Sequence, residues 1–275
     1  MRNTTLTLVT GGTGKTGRRI TERLTRGDVP VRIGTRSGGV PFDWANRNSW
    51  EHALEGVTAA YVSYYPDLAL PGSADAVAAF SDLAVSIGVR RLVLLSGRGE
   101  EEARLAEKAV AASGAEWTVV RCAWFNQNFS ENYLLDAVRT GRVALPVGPV
   151  GEPFVDVEDI ADVASAALTS DRHAGEIYEL TGPRLLTFEQ AVAAIGRASG
   201  RDLAFTRVSE EAYAAALAVE QVPAELAELI MYVLTTVLDG RNAHLGDGVQ
   251  RALGREPRDF DDYARETAST GIWNS

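Results

Sequence analysis

In the stretch Val9-Thr10-Gly11-Gly12-Thr13-Gly14-Lys15-Thr16-Gly17, glycines recur every third residue between an apolar run and an amphipathic one. A glycine-rich turn that joins a strand to a helix aims backbone N–H groups outward at the positive end of the helix dipole, which makes a phosphate site. Two chemistries share that design. A nucleoside-triphosphate loop needs a glycine five residues before Gly14-Lys15-Thr16, and that position is Val9, inside the apolar run. It also wants a strand ending in a magnesium-holding aspartate, whereas Arg91–Ser96 ends in serine and Ala59–Tyr64 in tyrosine. The register Gly11-x-x-Gly14-x-x-Gly17 fits a dinucleotide turn instead. There Gly11 permits the tight turn, Gly14 lets backbone approach a pyrophosphate, and Gly17 lets the helix lie close to the sheet.

The end of the second apolar run decides which dinucleotide. An NAD site places an acid there for the ribose 2′-hydroxyl; this chain has Thr35-Arg36-Ser37. A guanidinium with flanking hydroxyls suits a 2′-phosphate, so NADPH is expected over NADH. Of 27 Lys and Arg residues only Lys15 and Lys108 are lysines, and both fall in segments with candidate chemistry.

The elements that must carry these groups follow from periodicity. Apolar runs at Leu6–Thr10, Val31–Thr35, Ala59–Tyr64, Arg91–Ser96 and Trp117–Arg121 alternate with amphipathic stretches at Gly14–Arg26, Ala74–Ser86 and Glu100–Ala112. That order predicts a doubly wound α/β fold, a parallel sheet covered on both faces. Val40–Trp44 reads as a further strand, 141–157 as a surface excursion, and Ser130–Arg139 as a helix. A helix opening with acids covers 156–168, a strand 176–182, and the chain from Gly182 is mainly helical. The expected division is a dinucleotide-binding domain over 1–181, with 123–155 contributing to the substrate cleft, and a smaller substrate lobe over 182–275.

Composition narrows the partners. A net charge of −10 gives no general attraction to nucleic acid. Cys122 is the single cysteine, so there is no disulfide framework and no thiol cluster for a metal. His52, His173 and His244 have no metal or triad spacing. No apolar run approaches the ~20 residues of a membrane span, and no charged-then-apolar leader precedes the first strand, so a cytoplasmic protein is expected.

Together the segments TGGTGKTG, PFDW, RRLVLLSG, ARLAEKAV, WTVVRCAWFNQNF, PFVDVEDIADVA and HAGEIYELTG resemble the NmrA-like branch of the short-chain dehydrogenase/reductase superfamily, most of all its quinone-reducing members. The resemblance implies an extended Rossmann fold with NADP(H) and a helical C-terminal cap. It implies that Thr13, Gly14, Lys15 and Thr16 hold the pyrophosphate and Arg36 the 2′-phosphate. Asp43 and Trp44 would lie near adenine, Ser63 and Tyr64 along the ribose, and Cys122 to Phe125 beside the nicotinamide.

Carbonyl reducers of the wider superfamily use a Tyr-x-x-x-Lys pair, the tyrosine protonating the developing alkoxide. Here the residues four before the two lysines are Gly11 and Arg104, so the pair is absent. An acceptor whose reduced form is delocalised makes weaker demands on an acid. The expected reaction is therefore hydride transfer from NADPH to a quinone or polycyclic aromatic, with aromatic polyketides among the candidates, whose hydroquinone would then feed an O2-dependent hydroxylation with a partner enzyme. Tyr64, Tyr65, Trp124, Phe125, Phe154, Met231 and Tyr232 are the candidate substrate contacts. Ser96 and Asn126 are candidates for orienting the acceptor, Tyr64 for catalysis beside it, and Lys108 for charge near the anionic product. Two rival readings stand beside this one. One is a non-catalytic NADP(H) sensor, which the missing pair suits equally well; the other is reduction of a conjugated double bond, as in related phenylpropanoid reductases.

Overall fold

The computed structural model describes residues 6–36, 38–131 and 134–274. Its strands are β1 (Thr7–Thr10), β2 (Val31–Thr35), β3 (Val40–Pro41), β4 (Ala59–Val62), β5 (Arg91–Gly97), β6 (Glu116–Cys122), β7 (Arg142–Leu145), β8 (Glu176–Leu180) and β9 (Ala204–Arg207). Its helices are α1 (Lys15–Arg26), α2 (Trp50–Leu54), α3 (Ser73–Ser86), α4 (Glu101–Ala112), α5 (Leu134–Thr140), α6 (Val157–Thr169), α7 (Phe188–Ser199), α8 (Glu210–Val219), α9 (Ala224–Tyr232), α10 (Gly248–Leu253) and α11 (Phe260–Ser269).

A seven-stranded sheet runs in the order β3-β2-β1-β4-β5-β6-β8, with every pairing parallel. The order reverses between β1 and β4, the switch point at which a doubly wound sheet opens a crevice at its carboxyl edge. β1 and β4 are buried at every residue because helices cover both faces, which is why they read as mainly apolar runs without alternation. On one face α1 lies along α6, tied by Arg19 and Arg23 to Glu158 and by Arg23 to Asp162. On the other, Trp50, Val77, Phe80, Ala106 and Val110 pack against Leu8, Val62, Leu92 and Leu94.

The chain divides into two compact units that interleave. The first comprises the N-terminal stretch to Cys122, Val157–Leu180 and Asp247–Arg255; the second takes Ala123–Asp156, Thr181–Gly246 and the remainder. This differs from a single boundary at 181, because the excursion 123–156 is inserted within the last parallel crossover, β6–α6–β8. Within the second unit β7 pairs in parallel with β9, and Phe129, Phe154, Phe188, Phe260 and Trp273 form an aromatic core.

Three local readings need correction. The stretch 141–157 is not a surface excursion: Val143, Leu145 and Val147 are buried, and the alternation in β7 is that of a half-covered strand. The strand expected over Val40–Trp44 stops at Pro41, with one further backbone bond, from the Phe42 N–H to the Thr35 carbonyl, before the chain leaves the sheet edge. The chain then turns around Asp43, whose carbonyl accepts from Trp50 Nε1 and whose side chain accepts from the Ala45 N–H. The helix expected through 223–240 ends as α9 at Tyr232 and widens into a π-type turn at Val233–Val237, where the Thr235 hydroxyl donates back to the Met231 carbonyl.

Candidate functional site

In the first unit the glycine turn is built as its spacing demands. Gly11 has φ +62°, a left-handed conformation that favours glycine, and its carbonyl accepts from the Gly14 N–H at 2.9 Å. A Cβ on Gly17 would lie 2.7 Å from Gly12 Cα and overlap the Gly11 carbonyl, so helix and turn touch backbone to backbone. Gly12, which the spacing argument passed over, is equally confined: a Cβ there would meet the Ile33 side chain at 2.6 Å. α1 starts at Gly14 with no side-chain cap and no acid in its first turn. The positive end of its dipole thus faces the turn with no acid or side-chain cap against it, which suits a pyrophosphate. Thr13 and Gly14 are exposed, Lys15 half-buried and Thr16 buried.

The neighbouring strand ends are locked to this turn. Thr10 Oγ1 donates to the Tyr61 carbonyl and accepts from the Ser63 N–H at 2.8 Å. The Ser63 carbonyl in turn accepts from Trp44 Nε1. Trp44 is buried, edge-on to Phe42 and Trp50, with Tyr64 5.0 Å away on its open side. It forms the floor beneath the β2–β4 end. At that end the Arg36 guanidinium lies 4.0 Å above the Tyr65 ring, which is 55% exposed. Tyr65, expected against the substrate, thus stands with the residue expected to read a 2′-phosphate. Thr35 is half-buried beside it, and Ser37 lies outside the described residues.

Ser96 and Lys108 do not occupy the places expected of catalytic groups. Ser96 is buried and spends its hydroxyl on Glu107 Oε1 at 2.6 Å. Glu107 also takes Arg121 Nε and Nη2; Arg121 Nη1 reaches Glu179, and Arg98 pairs with Glu179 as well. Ser96 therefore belongs to a buried charge network under the carboxyl edge of β5 and β6. Lys108 is exposed on the solvent side of α4, where water and salt screen its charge. Cys122 is buried, and burial, with the nearby Glu100 carboxyl, pushes its thiol well up, so it is no nucleophile.

Two acids that the sequence reading missed lie at the same edge. Burial pushes the Glu100 carboxyl up to about 8, with Asp67 and Glu107 adding repulsion. Burial also raises Asp67, against the pull of the Ala69 N–H and the Lys15 charge. No spacing announces them, because they arrive from different strands.

In the second unit, residues 124–126 are pinned to 152–155. The Trp124 N–H donates to Glu152 Oε1 and its carbonyl accepts from the Val155 N–H. The Asn126 N–H donates to the Val155 carbonyl, with Phe125 bridging to Val155 between them. Trp124 Nε1 and both amide atoms of Asn126 are buried and have no hydrogen-bond partner, although Asn126 is 0% exposed. An unmet buried polar atom costs about 1–3 kcal/mol, so such atoms mark where a ligand group or ordered water belongs. Phe125, Met231 and Tyr232 are half-buried, the last two at the end of α9 where the helix widens. Phe154 is corrected: its ring is closed in by Phe129, Phe188 and Phe260, and it holds the core rather than a substrate. No helix among the described residues is long and apolar enough to cross a membrane.

Comparison with known proteins agrees with this architecture. The family model for the NmrA-like family matches residues 104–264. Agroclavine dehydrogenase of Claviceps fusiformis is 31% identical, with 97% of this chain and 98% of that protein covered. The (4-alkanoyl-5-oxo-2,5-dihydrofuran-3-yl)methyl phosphate reductase of Streptomyces griseus is 32% identical over 95% of this chain and 97% of its own. The solved NADPH-dependent quinone oxidoreductase of Escherichia coli, complexed with NADPH, superposes with a TM-score of 0.76 at 19% identity, covering 94% of this chain and 99% of the other. With nearly full-length relatives at this level of identity and a family model spanning more than half its length, the chain belongs to the NmrA-like family.

Proposed function

We propose that this protein is an NADPH-dependent reductase that transfers hydride to a quinone or polycyclic aromatic acceptor. The observation that carries the reading is the uncapped glycine turn at α1 with Arg36 at the end of the next strand. Gly11, Thr13, Gly14, Lys15, Thr16 and Gly17 would hold the pyrophosphate. Thr35 and Arg36 would hold the 2′-phosphate, with Tyr65 backing the guanidinium. Asp43, Trp44, Ser63 and Tyr64 would border the adenosine, and Cys122 and Phe125 the nicotinamide. When bound, the reduced cofactor supplies hydride, two electrons at a time. For the acceptor, the open polar atoms of Trp124 and Asn126 offer a donor pair, and Phe125, Met231 and Tyr232 offer apolar surface. Coupling to an O2-dependent hydroxylation, in which a partner enzyme uses the hydroquinone, extends this proposal.

A second reading has its own support. The name of the Streptomyces griseus relative describes a ring whose double bond is conjugated with carbonyl groups. Reduction of such a bond, like that of a quinone, delivers hydride to an electron-poor conjugated system.

Both are tested by following NADPH absorbance with a panel of naphthoquinones, anthraquinones and unsaturated lactones, under nitrogen and then in air. Turnover of a quinone under nitrogen is the expected result. Turnover of the lactones alone would favour the second reading. Tight NADPH binding without turnover of any acceptor would assign the protein to sensing. The cofactor assignment has a separate check. Arg36→Glu removes a charge-assisted contact and adds repulsion, an effect of ~10²-fold on NADPH affinity. Titration should show NADH affinity changed by less than ~3-fold. Equal losses for both cofactors would remove Arg36 from the 2′-phosphate.

A further inference from the structure

We propose that Glu100 is the proton donor of the reduction, a carboxylic acid serving in place of the missing tyrosine and lysine. The inference rests on the reductase reading above.

Position is the first argument. Glu100 caps the start of α4, three residues past the carboxyl end of β5. A dinucleotide with its phosphates at the β1 turn and its 2′-phosphate at β2 would be held along the carboxyl edge of the sheet, where β4, β5 and β6 also end. The Glu100 carboxyl lies directly on Gly97, where any Cβ would overlap it, and Gly97 pairs in register with Cys122 on β6. The acid is thus held at the end of the crevice where the reacting ring belongs.

Charge pairing is the second argument. Two guanidiniums, Arg98 and Arg121, stand beside β5 and β6, and Glu107 and Glu179 engage them. Glu100 is left over: no hydrogen bond or ion pair among the described residues holds its side chain. The groups that face it are Asp67 from the loop after β4, Glu107 from α4 and the Cys122 thiol from β6. Lys15 acts on Asp67, and Arg98 is paired with Glu179. In that company a carboxylate meets two other acids and no cation of its own, whereas the neutral acid escapes that repulsion. Burial and this repulsion put its titration at about 8, so it carries a proton at neutral pH while remaining partly open to solvent.

The chemistry balances. The acceptor gains hydride from the reduced nicotinamide, and its oxygen takes a proton from Glu100. The O–H bond breaks and leaves its electron pair on the carboxylate. Asp67 and Glu107 disfavour that carboxylate, so it draws a proton back from water before the next turnover.

The test compares the wild type, Glu100→Gln, Glu100→Asp and, as an exposed neighbour, Glu101→Gln. Infrared difference spectra of the protein without cofactor should show a protonated-carboxyl band that fades as pH rises through about 8 and is absent from Glu100→Gln. With NADPH and a naphthoquinone, wild-type kcat should fall about tenfold per pH unit above that midpoint. Glu100→Gln should be flat with pH and lower by ~10²-fold, and Glu100→Asp should recover part of the rate with a displaced profile. Glu101→Gln should match the wild type. If Glu100→Gln keeps the wild-type profile and a rate within ~3-fold, or if no carboxyl titrates in that range, the donor role is overturned. A wild type that binds NADPH but reduces no acceptor overturns the reductase reading and the donor role together. That failure is distinguishable, because the infrared titration is read without turnover.

Discussion

Glu107→Ala is expected to lower unfolding stability by about 3–5 kcal/mol, a large share of what a domain of this size possesses. Glu107 is 5% exposed and accepts from three donors at once: the Ser96 hydroxyl and two nitrogens of Arg121. Its removal leaves Arg121 with Glu179 alone and the Ser96 hydroxyl buried without a partner. A guanidinium stripped of two of its three carboxylate contacts and a buried hydroxyl left unmet cost more than the intact network contributes, and this asymmetry sets the size of the effect. Urea titration should show the midpoint moving down at an unchanged slope. Glu107→Gln, which keeps an acceptor for Ser96, should lose less. The exposed pair Arg265 and Asp262 gives the comparison: its removal should cost no more than about 1 kcal/mol. A Glu107→Ala loss as small as that would show that the network contributes no more than a surface pair.

Gly17→Ala is expected to reduce NADPH affinity by ~10²-fold, the order associated with ångström-scale misplacement of binding groups. The added Cβ would meet backbone on two sides, the Gly11 carbonyl and Gly12 Cα, and neither can swing aside as a flexible side chain would. Relief requires α1 to move off the turn, which displaces the N–H groups meant for phosphate. Overpacking should also cost about 1–3 kcal/mol in stability. Gly27→Ala at the far end of α1 is the control. Its φ is −88° and an added Cβ would meet its neighbours at 3.5 Å, so binding should be unchanged. An unaffected Kd in Gly17→Ala would mean that the turn does not hold the phosphates.

The sequence carries the sheet because a parallel strand buried on both faces needs an apolar centre, and β1, β4 and β5 each have one: Leu8-Val9, Ala59–Val62 and Leu92–Leu95. The glycine turn is legible for a similar reason, since backbone crowding restricts the residue type directly. β7 was missed because Arg142-Val143-Ala144-Leu145 is short and followed by Pro146, and what makes it a strand is its partner β9, some sixty residues on. The aromatic residues misled in a different way. Phe154 and Tyr65 look alike as candidates, yet one is enclosed by three rings and the other stands half in solvent over Arg36. Residue type sets what a ring can do, and only packing sets where it does it. Glu100 lies at the limit of such reading: its behaviour comes from Asp67 and Glu107, which approach it from a different strand's loop and from the following helix.

The interleaving of the two units bears on how the molecule is made. β8 joins the sheet only after the inserted stretch has been synthesised. α10 comes later still, with Gly248 against the Glu179 backbone and Arg255 then pairing with Asp159 and Asp162. A ribosome delivering residues from the N-terminus therefore exposes a sheet with an unpaired β6 edge until well past the midpoint of translation. The dinucleotide turn emerges first, and the last parts of the unit that carries it are among the last to arrive.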